Sequence, residues 1–183
     1  MRVLSAIFPP DEIVDDLSQA VTPLLRHYPE LAWSPPPLWH LTLTYFGNLS
    51  LNDTGQLDGV MRSFVMGRRP ITLRLDGAGA TPEPSAADEL YMQVTSVDNA
   101  LVKLYLDGVE AVKNRGWILD RRSFRSRVPI ARTETSMNMA GLIKELGDYQ
   151  SPEWQADSVA ILWSRPGTDG RPYYQLLGEH TFR

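Results

Sequence analysis

A chain of 183 residues with 43% hydrophobic and 22% charged content is long enough for one domain with a full core, or for two small lobes sharing one, and it lacks the composition of a disordered segment. Its formal net charge of −4 excludes a protein that coats nucleic acid through a basic face, but leaves a small or terminal phosphate ligand open. With no cysteine, disulfides and thiolate metal centres are excluded, and three scattered histidines make no ligand cluster, so neither a metal nor a cofactor is expected.

The run Met1 to Pro10 has too short an apolar part for a signal peptide, and no segment approaches the roughly 18 apolar residues of a membrane span. A cytoplasmic monomer without a membrane partner is expected. Residues 2 to 8 read as a buried strand stopped by Pro9-Pro10. Asp11 then opens a helix with Ile13, Val14, Leu17, Ala20, Val21, Leu24 and Leu25 at helical spacing, bent at Pro23.

After Pro35-Pro36-Pro37 comes Trp39-His40-Leu41-Thr42-Leu43-Thr44-Tyr45-Phe46-Gly47, which alternates like a strand. A period of two puts His40, Thr42 and Thr44 on one face and Leu41, Leu43 and Tyr45 on the other. An imidazole and a hydroxyl about 7 Å apart along a strand can both reach one phosphate-sized group. A lone histidine on a half-buried strand serves structural and catalytic ends alike, and the pattern leaves both open.

A second helix carries Leu57, Val60, Met61, Phe64 and Val65, and Ile71, Leu73 and Leu75 alternate as a strand. The order strand, helix, strand, helix then recurs: Leu90 to Thr95, the stripe Leu101, Leu104, Tyr105, Val109 and Val112, residues near 124 to 132, and Leu142, Ile143 and Leu146. Val159, Ile161 and Trp163 alternate, and a turn over 165–170 leads into a last strand from Tyr174 to Phe182. The recurrence predicts an internal repeat of about 2–66 and 90–147 within a single bilobal domain of residues 1–183, with residues 124–132 as the counterpart of the His40 strand and the site between the two.

The opening strand with Ile7-Phe8-Pro9-Pro10, the His40-Leu41-Thr42-Leu43 run continuing to Phe46-Gly47, a Gly77-Ala78-Gly79-Ala80 turn before a proline, and Trp163-Ser164 with Tyr174 near the C-terminus together resemble the 2'-5' RNA ligase-like, RNA 2',3'-cyclic phosphodiesterase group of the two-histidine (2H) phosphoesterase superfamily. The resemblance implies an α+β fold of two pseudo-symmetric lobes, each an antiparallel sheet with helices outside, around a central cleft. It also implies one His-x-Thr or His-x-Ser motif per lobe. The first is His40-x-Thr42. The second is broken: Phe124 and Ala131-Arg132 match, but Arg127 stands at the histidine position and Pro129 at the threonine position.

In such a group one imidazole activates water, the other protonates the leaving 2'- or 3'-oxygen, and the hydroxyls hold the phosphoryl group. Arginine cannot carry the proton, because its pKa stays above about 12, but its planar fork can hold two phosphoryl oxygens. The resemblance thus implies His40 and Thr42 as catalytic, Thr42 and Arg127 as phosphate-binding, and Arg125 and Arg132 as further substrate contacts in a basic stretch that includes Arg121 and Arg122. The implied activity is metal-independent hydrolysis of 2',3'-cyclic phosphate ends of RNA or of small cyclic nucleotides, weakened by loss of the second histidine. The alternative is a degenerate protein that binds an RNA end or nucleotide without turning it over. A third course is different phosphoester chemistry needing one histidine. Pro129 predicts an edge strand or a local distortion. His27 reads as a helix-end residue, and His180, next to Thr181, is a weak substitute for the missing imidazole.

Overall fold

The computed structural model describes residues 1–119, 123–168 and 171–183. In chain order the elements are β1 (Arg2–Ile7), α1 (Asp11–His27), β2 (Ala32–Trp33), β3 (Leu41–Asn48), α2 (Leu51–Val65), β4 (Ile71–Glu83), β5 (Ala86–Ser96), α3 (Ala100–Lys113), β6 (Arg127–Met137), α4 (Ala140–Leu146), β7 (Trp154–Ala156), β8 (Ser158–Pro166) and β9 (Pro172–Thr181). Among the described residues they form two antiparallel sheets, ordered β3-β1-β8-β9 and β2-β6-β5-β4-β7.

β1 lies between β3 and β8, so both of its edges are paired, and with Val3 and Ile7 in one packed cluster and Leu4 and Ala6 in another its run from Val3 to Ile7 is buried throughout. α1 begins with Asp11 and Glu12, whose carboxylates suit the positive end of the helix dipole, and buries Ile13, Leu17, Val21 and Leu24. It runs through Pro23 to His27, and Leu25 is 42% exposed rather than part of the buried stripe. Ser50 caps α2 by accepting the Asp53 N–H at 3.0 Å. The main core joins α1, α2, α3 and α4 to both sheets, through residues such as Leu17, Leu57, Leu104 and Leu142 packed with Leu41, Leu75 and Ile130. Leu4, Ala6, Ala160 and Leu162 form a second cluster against which Tyr45 and Tyr174 pack.

The elements depart from the sequence expectation in places that shape the cleft. β2 is an addition to that expectation; pairing Ala32 with Arg132 and Trp33 with Ala131, it carries the segment before the prolines onto the second sheet. The Gly77-Ala78-Gly79-Ala80 stretch is no turn. It lies inside β4, where Gly77 takes φ 78° at a register shift between Leu75 and Ala78. Such a bulge bends a strand without reversing it. β6 begins at Arg127, later than expected, and runs on to Met137, while Phe124 precedes it. β8 runs on to Pro166, so the expected turn over 165–170 starts later; the Gly167 N–H donates to the Arg171 carbonyl at 2.9 Å, and Asp169 and Gly170 lie outside the described residues.

Side chains along β3 do not keep a strict alternation. Ser5 pairs with Thr44 and Ala6 with Thr42, so Leu43 is an extra residue in the ladder. The extra residue resets the alternation. Tyr45, expected on the face of Leu41 and Leu43, turns to the cleft side, and Phe46 is buried in the main core with Leu41 and Leu43. β6 has the same construction. Leu90 pairs with Ala131 and Tyr91 with Pro129, leaving Ile130 extra. Pro129 therefore stands beside a bulge, paired with Tyr91 of β5 on one side and lying beyond the residues that β2 pairs, Ala131 and Arg132, on the other: the expected distortion is present, and β2 leaves Pro129 without a ladder partner on its side.

Candidate active site

The cleft comprises two adjoining cavities of about 630 and 390 Å³ that share Thr42, Tyr45, Pro129 and Arg132. His40 lines the smaller cavity, with Ser34, Leu38, Arg171 and Tyr174 around it. Arg127, Glu89 and Arg125 line the larger one, whose far wall is Tyr105, Val109, Leu119 and Phe124. The Tyr105 and Phe124 rings stack at 4.6 Å with 15° between their planes.

His40 is set by the segment before it. A 3-10 turn over Pro36–Leu38 ends one residue short of Trp39, whose buried indole donates to the Ser34 carbonyl at 3.0 Å. That anchors the proline segment and leaves His40, 7% exposed, at the mouth of β3. Its Nδ1–H donates to the Leu38 carbonyl at 2.7 Å. Because a carbonyl can only accept, the neutral ring keeps its lone pair on Nε2. The Tyr174 ring meets the imidazole edge-on at 4.7 Å and Phe8 lies at 5.4 Å. Burial pushes the His40 pKa below its ordinary value and the Arg132 guanidinium adds to that, while the bond to Leu38 works the other way. The surroundings of His40 thus favour the neutral imidazole over the charged one.

On the second sheet, Glu89 is buried between two cations. Its Oε1 lies 3.0 Å from Arg127 Nη2 and its Oε2 2.8 Å from Arg132 Nη2. The Arg127 guanidinium also sits over the Tyr91 ring, 4.8 Å from its centroid. Arg127 therefore reaches the cleft as expected, but as a paired group. Arg132 lines both cavities; burial raises the Tyr174 pKa above its ordinary value, and the Arg132 charge works against that as it works with burial on His40. Arg125 is exposed at the rim of the larger cavity; Arg121 and Arg122 lie outside the described residues.

The other histidines are elsewhere. His27 is exposed in the last turn of α1, and His180 Nε2 is 2.7 Å from Asp58 Oδ1 on the side where β9 packs on α2. Neither lines either of the two cleft cavities. Among the described residues no three His, Asp or Glu side chains gather into a metal cluster, and no helix is long and apolar enough to cross a membrane. Sequence reading missed Glu89, Tyr45 and Tyr174. Glu89 left one signal, a carboxylate in step with Ala87 and Tyr91 along an alternating run.

No family model matches the chain. Over 104 residues, 57% of this chain, it is 30% identical to a protein of Geobacillus stearothermophilus named RNA 2',3'-cyclic phosphodiesterase, and the match spans 33% of that protein, about a third of its length. A protein of the same name from Aeropyrum pernix is 24% identical over 144 residues, 77% of this chain and 80% of that one. Among solved structures, TT0787 of Thermus thermophilus superposes with a TM-score of 0.79 at 22% identity, covering 100% of this chain and 98% of that one. E. coli LigT complexed with 3'-AMP superposes with a TM-score of 0.75 at 17% identity, covering 98% and 97%. At these identities the structures show a common fold, that of the LigT-like two-histidine phosphoesterases which the sequence resembles.

Proposed function

We propose that the cleft hydrolyses 2',3'-cyclic phosphates at RNA ends or on small nucleotides, with His40 as its one proton carrier. The observation that carries this reading is the contact of His40 Nδ1 with the Leu38 carbonyl at 2.7 Å, which leaves Nε2 as the acceptor, in a cavity that shares Thr42 and Arg132 with its neighbour. The names of the relatives and the LigT fold support the same class of chemistry.

In this reading His40 Nε2 takes a proton from water, the water oxygen attacks phosphorus, and the bond to the 2'- or 3'-oxygen breaks. The leaving oxygen takes its proton from solvent. Thr42 donates to a phosphoryl oxygen, and Arg132 and Arg127 offset the charge that develops there. Lacking a second imidazole, the site gives up one general acid, worth about 10²- to 10⁴-fold in rate. The larger cavity, with its stacked aromatic pair, takes the nucleoside. The matching bulges support reading residues 2–66 and 90–147 as one repeated unit: Leu43 follows Thr42 as Ile130 follows Pro129, so Arg127 stands where His40 stands.

A second reading, binding without turnover, is favoured by two features of β6: Arg127 is already engaged by Glu89, and Pro129 offers no hydroxyl. Phosphorus-31 NMR of a 2',3'-cyclic nucleotide incubated with the protein separates the two. Conversion of the cyclic signal to a monoester supports the enzyme. An unchanged spectrum with saturable binding by calorimetry replaces it with the binding protein.

A further inference from the structure

Two cations of the second sheet owe their placement to one carboxylate. Glu89 stands across the β5–β6 ladder from Arg132, is 8% exposed, and spends one oxygen on each arginine. The arginines flank the Ile130 bulge, so a regular strand would not turn both toward the same partner. A second support lies on the other side of Arg127. Its guanidinium rests on the Tyr91 ring, and Tyr91 lies over Gly79 across the β4–β5 ladder, where an added Cβ would come within 2.5 Å of the ring. Carboxylate, guanidinium, aromatic ring and glycine make one continuous stack.

A carboxylate is costly to take out of water unless cations meet it, and long arginine side chains lose much rotamer freedom when fixed. Two cations meet the carboxylate here before any ligand arrives, Arg132 at Oε2 and Arg127 at Oε1, the latter an ionic contact that leaves Oε1 buried without a hydrogen bond. We propose that Glu89 is a positioning residue, which holds Arg127 and Arg132 as a preformed pair for the oxygens of one phosphoryl group; this rests on the reading of the cleft given above. Glu89 touches no reacting atom. Each guanidinium has five N–H donors, so contact with Glu89 through one nitrogen leaves donors for phosphate. The pair and its carboxylate together keep one net positive charge.

A carboxylate in this place has one other role open to it, damping the positive charge of the cleft, and the two roles give opposite signs. Glu89→Asp keeps the charge but withdraws the carboxylate by one methylene, so the 2.8 and 3.0 Å contacts cannot both be kept. Glu89→Gln keeps the length and gives up the charge. The probes are 3'-AMP and inorganic phosphate, titrated by calorimetry, with thermal melts to confirm that each variant is folded. Positioning gives weaker binding in both variants, about tenfold or more for the loss of a charge-assisted contact. Charge damping gives tighter binding in Glu89→Gln and parental binding in Glu89→Asp, and that result overturns the proposal. Should the Glu89 variants fail to fold, Tyr91→Leu removes the other support of Arg127 with every charge in place: weaker binding supports the stack, and parental affinity overturns it. A parent protein that binds neither probe overturns the phosphate reading of the cleft, and the proposal with it.

Discussion

Burial and a hydrogen bond act in opposite directions on the His40 ring, and burial prevails, so the folded protein holds its imidazole neutral below the pH at which a free histidine would charge. Linkage then fixes a sign. The unfolded chain takes up a proton near pH 6.5 and the folded protein only at lower pH, so the contribution of His40 to stability is present above about 6.5 and is lost as pH falls from there toward the folded pKa. Thermal melts between pH 7.5 and 5.5 should therefore show a larger acid-side loss for the parent than for His40→Ala. Equal losses would mean that the ring is as free to charge in the folded state as in the unfolded one. Arg127 carries a second expectation at this scale. Arg127→Ala should weaken binding of a nucleoside phosphate by about 1.5 to 3 kcal/mol, the size of a hydrogen bond to a charged group. Unchanged affinity in a calorimetric titration would remove it from the phosphate site.

The strands show which parts of the fold are legible in the sequence. In β3 the alternation places His40 and Thr42 on the cleft side and Leu41 and Leu43 in the core, and the structure has them there. Tyr45 defeats the alternation because a bulge adds a residue without any mark in composition: Leu43 and Phe46 are both apolar and both fit the core. Gly77 misleads for the related reason that a glycine with positive φ serves a bulge as well as a turn. β2, only Ala32 and Trp33, is too short to carry a period. Glu89 stays hidden because its role depends on two arginines from another strand. The bulged strand also yields a prediction. Arg127→His with Pro129→Thr should raise cyclic phosphodiesterase activity about 10²-fold or more, since it returns an imidazole and a hydroxyl to β6. Glu89 would lie beside the new imidazole and favour its protonated form, as a general acid requires. A slower double variant would show that Arg127 belongs to a working one-histidine mechanism.

At the scale of the whole molecule, charge is unevenly spread. The chain carries a net charge of −4, yet among the described residues lining the two cavities Lys113, Arg125, Arg127, Arg132 and Arg171 face only Glu89 and Glu134 as carboxylates. A cleft of one sign in an acidic body draws anions in and keeps long polyanions off the remaining surface. Affinity for a nucleoside phosphate should fall as salt rises from about 0.05 to 0.5 M, because the Debye length shortens from above roughly 10 Å to below it, while an uncharged nucleoside should bind without that dependence. Parallel salt profiles for the two ligands would contradict it. The central claim, that His40 is the proton carrier of a cyclic phosphodiesterase, is tested most directly by the initial rate of 2',3'-cyclic nucleotide hydrolysis in the parent and in His40→Ala, each confirmed as folded by its thermal melt. Measurable turnover is expected in the parent and a loss of about 10²-fold or more in the variant; equal rates in the two folded proteins would rule out His40 as the proton carrier.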